Sequence, residues 1–305
     1  MDPPDPAIWD AFDGRPHQLR MGLHPIEPAA WTQLPPAPEL GAELDRRARL
    51  LSALAREVID AIDDPRVGDA AGELWHLLVE HLCRDHPSRY RVEGPTLTLL
   101  DDGRTWDLAA VDPLRIAGSA VTEDWCLIRP EPVPILAAAV LCSPNRWRLG
   151  DKLGRPITDI HDPVPGYRRR LGPPVDALLG SVRGPSWRRN WSIQSSPSRY
   201  QPVADGPARP AVPDQVWVRS EYETLVRLPE SGWWVFGIHT TVRPLTDVAG
   251  APALAARILR AVASLDPATA RYKDLAAWRV PLERWLAGIA AATPPDPPAT
   301  PPDPP

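Results

Sequence analysis

One histidine of this chain is launched from a strongly constrained backbone. His161 stands in Trp147-Arg-Leu-Gly-Asp-Lys-Leu-Gly-Arg-Pro-Ile-Thr-Asp-Ile-His-Asp-Pro-Val-Pro-Gly-Tyr167, just after an apolar residue and just before Pro163, Pro165 and Gly166. Each proline fixes its own φ and pushes the preceding residue toward extended geometry, while the glycine permits what a Cβ would forbid. A side chain so held has little entropy left to lose. That suits an axial ligand to a metal or haem iron. The ordinary alternative is a polar loop histidine capping a neighbour.

Two carboxylates come next. The runs Val216–Arg227 and Trp233–Val242 flank the turn Leu-Pro-Glu-Ser-Gly and read as a β-hairpin. If Leu228 opposes Trp233, the register sets Glu221 against Thr240 and Tyr222 against His239. Glu221 and Glu223 then share a face with Arg219, Phe236 and Ile238, and His239 lies on the other face. Paired glutamates on one face suit acid–base work or the binding of a cation, or else form a solvated charged stripe. His239, between an isoleucine and two threonines, reads as a satisfied core histidine, with metal ligation the alternative to His161. His76 and His81 are five apart on a helix and so do not meet the i, i+4 metal geometry.

Other chemistries find little support. Cys83, Cys126 and Cys142 are widely spaced and form no zinc or iron–sulfur pattern. No Gly-rich phosphate or dinucleotide loop follows a strand, so electrons for any redox step come from another polypeptide. A net charge of -5 argues against a nucleic-acid partner. No apolar run approaches the roughly 20 residues of a membrane span, and no leader-like segment opens the chain, so a cytoplasmic location is expected. The 13 tryptophans could line an aromatic pocket, though indoles are also ordinary core filler.

These residues need elements to hold them. Helical spacing runs from Leu40 to Ile62 and from Asp69 to Cys83. Short strands follow at Thr96–Leu100, Thr105–Ala109, Trp125–Ile128 and Ile135–Cys142. Helices are expected over Arg146–Leu153 and Leu171–Val182, then over Ala251–Leu265 and Ala270–Ala291 after the hairpin. Helices, an antiparallel meander with helical interruptions, then helices is an α+β order. Proline-rich composition marks residues 1–11 and 293–305 as disordered ends around a single domain over 12–292.

Taken together, several motifs resemble the haem-dependent oxidative N-demethylase family, haem (alpha) subunit type. They are Met21-Gly-Leu-His-Pro-Ile26 with Trp31, the block from Trp147 to Tyr167, Arg189-Asn-Trp191, Arg219-Ser-Glu-Tyr-Glu-Thr-Leu-Val-Arg-Leu-Pro229, Ile238-His-Thr-Thr-Val-Arg-Pro-Leu245 and Tyr272-Lys with Trp285-Leu. They cover roughly residues 12 to 287.

The resemblance implies a PAS-like fold and a haem b on His161, with Tyr167, Arg189, Asn190 and Trp191 around it. Arg189 would meet a propionate and Asn190 would orient a wall, the alternative for either being a purely structural role. It also implies oxidative removal of a methyl group from a small amine such as dimethylamine, using O2 and releasing formaldehyde. Glu221, or else Glu223, would anchor the ammonium. Electrons would come from a reductase carrying FMN and a 2Fe–2S cluster. Alternatives are a haem enzyme acting on a larger amine or amino acid, and a non-catalytic PAS-type haem sensor. Two departures from the family pattern bear on substrate choice if they face the pocket: Gly237 with His239, and the segment Cys142-Ser-Pro-Asn-Arg-Trp147.

Overall fold

The computed structural model describes residues 6–170, 184–203 and 215–292. Its centre is a sheet of seven strands: β1 (His24–Pro25), β2 (Ile59–Ala61), β6 (Asp124–Arg129), β7 (Ile135–Val140), β8 (Ser186–Gln194), β9 (Trp217–Arg227) and β10 (Trp234–Pro244). Their order across the sheet is β1-β8-β9-β10-β6-β7-β2, antiparallel at every pairing. A separate three-stranded sheet holds β3 (Tyr90–Glu93), β4 (Thr96–Leu99) and β5 (Thr105–Asp107). The expected α+β class holds.

The β9–β10 hairpin takes the expected register. Leu228 N–H donates to Trp233 O at 2.8 Å, Thr240 pairs with Glu221, and His239 pairs with Tyr222. The turn closes through Gly232 at φ +72°, a conformation that a Cβ would strain. Glu73, on the helix Arg66–Asp85, caps the same turn by accepting from the N–H groups of Glu230 (2.6 Å) and Ser231 (2.9 Å).

One face of the sheet packs on the helices Ala37–Ala53, Arg66–Asp85 and Pro113–Ala120 through a core containing Leu44, Leu74, Trp75, Trp125, Leu127 and Val235. A buried ion pair tethers this layer: Arg47 donates to Asp124 at 2.8 Å, both side chains being fully buried. Asp124 also accepts from the backbone N–H groups of Cys142 and Ser143, each at 2.8 Å. These charge-assisted bonds to a single carboxylate fix the exit of β7 into the segment that holds His161.

Several expectations need correction. The helix read over Leu40–Ile62 ends at Ala53, and after a short turn of helix Ile59–Ala61 pairs with β7 as an edge strand. β-branched residues at 58 and 59 favour that switch. The helix expected over Arg146–Leu153 is a single 3-10 turn, Leu149–Asp151, and the last helix is two, Pro267–Tyr272 and Arg279–Ala290. Ile8 and Trp9, placed in a Pro-rich end by composition, are buried against the C-terminal helices. The expected helix Leu171–Val182 and the 293–305 tail lie outside the described residues. Among the described residues no helix is long and apolar enough to cross a membrane.

Candidate functional site

The other face of the sheet borders a cavity of about 570 Å³, within the range that holds a cofactor or a drug-sized ligand. Strand alternation sets much of what enters it, although on β8 the intervening Trp187, Arg189 and Trp191 border it as well. Arg188, Asn190 and Ser192 of β8, Glu221, Glu223 and Leu225 of β9, and Phe236 and Ile238 of β10 stand opposite one another in register and line it, followed by Cys126 and Ile128 of β6. Facing this wall are the segment from Ser143 to Tyr167, the irregular arm from Asp10 to His24, and Thr269, Tyr272 and Lys273 near the C-terminus.

His161 lies on the facing segment, just past the single helical turn Ile157–Ile160. Its Nδ1 is 2.7 Å from the carbonyl of Ile157. A carbonyl can only accept, so Nδ1 carries the proton and Nε2 presents its lone pair. Burial pushes the ring's pKa down to about 4, against the favourable Ile157 bond, so the imidazole is neutral near pH 7. Tyr167 stacks on it with ring centroids 4.5 Å apart and planes 11° apart, and Gly166 at φ +76° makes the turn that brings that ring back. A fixed tautomer, a neutral ring and a packed orientation are what a single metal ligand requires.

The carboxylates are buried and already hydrogen-bonded. Glu221 accepts from Arg219 Nε at 2.8 Å and from Asn190 Nδ2 at 3.0 Å. Glu223 is bonded to Arg188. They titrate in opposite directions. Burial raises Glu221, but the Arg219 charge and the Arg219 and Asn190 hydrogen bonds outweigh it and hold the group below its ordinary value. Burial raises Glu223, and the nearby charge of Glu221 adds to it, leaving that group above its ordinary value despite Arg188. One site therefore holds a firmly ionised carboxylate beside one that keeps a proton more readily. The solvated-stripe reading fails, since Glu221 and Glu223 are only 7% and 5% exposed.

Seven of the eight residues singled out from the sequence line the cavity: His161, Tyr167, Arg189, Asn190, Trp191, Glu221 and Glu223. Asn190 supports Glu221 directly. Arg189 lies over the rings of Trp187 and Tyr222 at 5.7 and 5.0 Å. His239 is not brought to the site. It faces away, its Nδ1 2.7 Å from Thr122 Oγ1 and 3.8 Å from Glu123. Gly237 shares that far face, where it allows Trp125 to pack onto the backbone. The second departure does reach the cavity, through Ser143, Asn145, Arg146 and Trp147.

Sequence reasoning missed six cations that line the cavity: Arg15, Arg20, Arg146, Lys152, Arg188 and Lys273. Arg188 was missed because β8, with its Arg-Arg-Asn run, lacks an apolar alternation. Lys152 sat within the quoted block, and its place over Trp147, with Nζ 4.1 Å from the ring, was a signal only in three dimensions. Among the described residues no group of three or more His, Cys, Asp or Glu side chains is placed to hold a metal ion, so a metal held by His161 would draw its remaining ligands from a non-protein group. Residues 22–282 match the family model described as haem-dependent oxidative N-demethylase, alpha subunit-like.

Proposed function

The chain belongs to the haem-dependent oxidative N-demethylase, alpha subunit-like family, and we propose that the cavity around His161 is where it removes a methyl group from a small secondary amine of the dimethylamine kind. The observation that carries this reading is a neutral imidazole with a presented Nε2 in the same cavity as two buried carboxylates. Support for haem also comes from the apolar walls, with Leu136, Leu141, Ile157, Leu225, Phe236 and Ile238 offering a surface for a flat ring. Arg189 on β8 offers a cation for one of its propionates.

The PAS-like reading of the fold rests on strand order. Counted along the chain, the five central strands stand 2-1-5-4-3, the first and last adjacent at the centre.

Bound haem b supplies the activation of O2 at its iron. Overall, an N-methyl amine, O2, two electrons and two protons become the demethylated amine, formaldehyde and water, so two electrons must enter from elsewhere. The family's description as an alpha subunit implies other subunits, and we assign the electrons to a flavin and iron–sulfur reductase among them. His161 would hold the iron through Nε2, with the Ile157 carbonyl fixing its tautomer. Glu221, ionised, draws the substrate's ammonium and orients its methyl group. Glu223 holds or accepts the proton that passes from the carbinolamine hydroxyl as the C–N bond breaks and the amine leaves.

Purified haem-loaded protein should give a Soret band that shifts on adding dimethylamine, and formaldehyde should form when a reductase and NAD(P)H are supplied. A cavity that binds haem yet yields no formaldehyde from any secondary or tertiary methylamine would leave the sensor reading in its place.

A further inference from the structure

The cavity holds more positive charge than its carboxylates neutralise. Glu221 and Glu223 are already taken, by Arg219 and Arg188 respectively. Lys152 and Lys273 remain. Neither has a carboxylate ion-pair partner among the described residues. Lys273 is 7% exposed, donates one hydrogen bond to the carbonyl of Trp191 at 2.6 Å, and lies 4.4 Å from that indole's centroid. Among the described residues, its other two N–H donors have no protein acceptor. Lys152 sits over Trp147 and has no hydrogen-bond acceptor among the described residues.

Burial pushes both lysines down to about 8, with the charge of Glu221 pulling the other way. Each is thus an ammonium short of compensation. Nor is Lys273 loosely placed. Arg146, held in the left-handed region at φ 61°, donates to the carbonyls of Lys273 (3.4 Å) and Ile193 (3.3 Å). A non-glycine residue there is strained and persists only where its surroundings require it.

A bare alkylammonium offers these lysines nothing and would add to the excess. We propose that the substrate is an N-methyl amino acid, its ammonium facing Glu221 and its carboxylate received by Lys273 and Lys152. This rests on the demethylation reading above and narrows its substrate class. The division of labour is electrostatic: one end of the ligand meets a firmly ionised carboxylate, the other meets ammonium groups that lack one. A zwitterion is the small amine that satisfies both. The charged tail also fixes which way the N-methyl group points, which a symmetric dialkylamine cannot do.

The test titrates the haem-loaded full-length protein with sarcosine, sarcosine methyl ester and dimethylamine. Binding is read from the Soret shift, and formaldehyde is measured separately. Sarcosine should bind at least tenfold tighter than its ester or dimethylamine. Lys273→Met and Lys152→Met should each reduce that preference at least tenfold while haem occupancy, read from the pyridine haemochrome, stays at the wild-type level. Equal or tighter binding of dimethylamine overturns the proposal and leaves demethylation standing. Loss of haem in either lysine variant assigns that lysine to a propionate and overturns it too. Should a variant fail to fold, the sarcosine-to-ester ratio on the wild-type protein decides alone. Absence of formaldehyde from all three compounds counts against demethylation itself, and the binding ratio still decides the carboxylate subsite.

Discussion

Glu221 and Glu223 stand two residues apart on one face of β9, yet their surroundings drive their proton affinities in opposite directions. The difference lies in the partners. Glu221 gains a guanidinium and an amide donor, whereas Glu223 gains one guanidinium and bears its neighbour's negative charge. The cavity so acquires an anion and a proton-holding group from a single strand, without a histidine in either role.

Replacing Glu221 by Gln tests the anion. The amide can still accept from Arg219 Nε but no longer attracts an ammonium. Haem content should stay near wild type while amine-induced spectral shifts weaken and formaldehyde yield falls by at least 100-fold. Removing one partner of a buried ion pair costs up to about 3–5 kcal/mol, so a lower urea midpoint is expected as well. Wild-type amine binding in this variant would transfer the anchor to Glu223.

His161→Ala removes the imidazole whose presented Nε2 belongs to both the family block and the cavity. The Soret band should vanish or move to that of an exchanged ligand. His239→Ala should leave it in place, since that ring is bonded to Thr122 on the far face. An unaltered haem spectrum in His161→Ala together with a lost one in His239→Ala would reverse the assignment.

Glu123 gives a pH signature independent of the cavity. It is 1% exposed, and burial raises its pKa from 4.5 to about 7, despite the Gln33 N–H bond that favours the ion. A raised folded-state value means the folded chain keeps a proton that the unfolded chain has released. Its contribution to stability is full below pH 4.5 and is lost as pH rises through about 7, a change of roughly 3 kcal/mol. Glu123→Gln should flatten the fall in unfolding free energy across that window. Parallel curves for the two proteins would show that Glu123 is ionised throughout.

Gly237→Ala tests the close approach of β10 and β6. A Cβ there would meet Thr224 Oγ1 and Trp125 Cζ3, each at 2.6 Å. Overpacking of this kind costs about 1–3 kcal/mol, measurable as a lower urea midpoint. Unchanged stability would mean that the indole has room to retreat.

How much was legible follows from what each residue's neighbours are. The hairpin register was readable because a five-residue turn between alternating runs fixes both strands locally, and with it the shared face of Glu221, Glu223, Phe236 and Ile238. His161 was readable from the prolines around it. β8 was not, because Arg188, in a charged run without apolar alternation, here points into a cavity that only the facing segment creates. The role of Lys273 was hidden for the same reason: in sequence it is one lysine at the end of a short helix, and its contact with Trp191 exists only in the fold. Positions 59–61 were misread because helical periodicity runs on past the point where pairing with β7 takes over.

The site's two halves come from parts of the chain with very different routes to their final positions. The carboxylates belong to a hairpin whose strands meet across a tight turn, whereas His161 reaches them only once the segment after β7 has docked, held by Asp124 and by an isolated bridge between Ile135 and Pro156. Local pairings close at a small entropic cost and form early, and distant ones late. The expected order of assembly is therefore the acidic wall first and the imidazole second, so that the cavity stays open on the side of the later segment until the last step and a large rigid ring can enter before the chain closes over it.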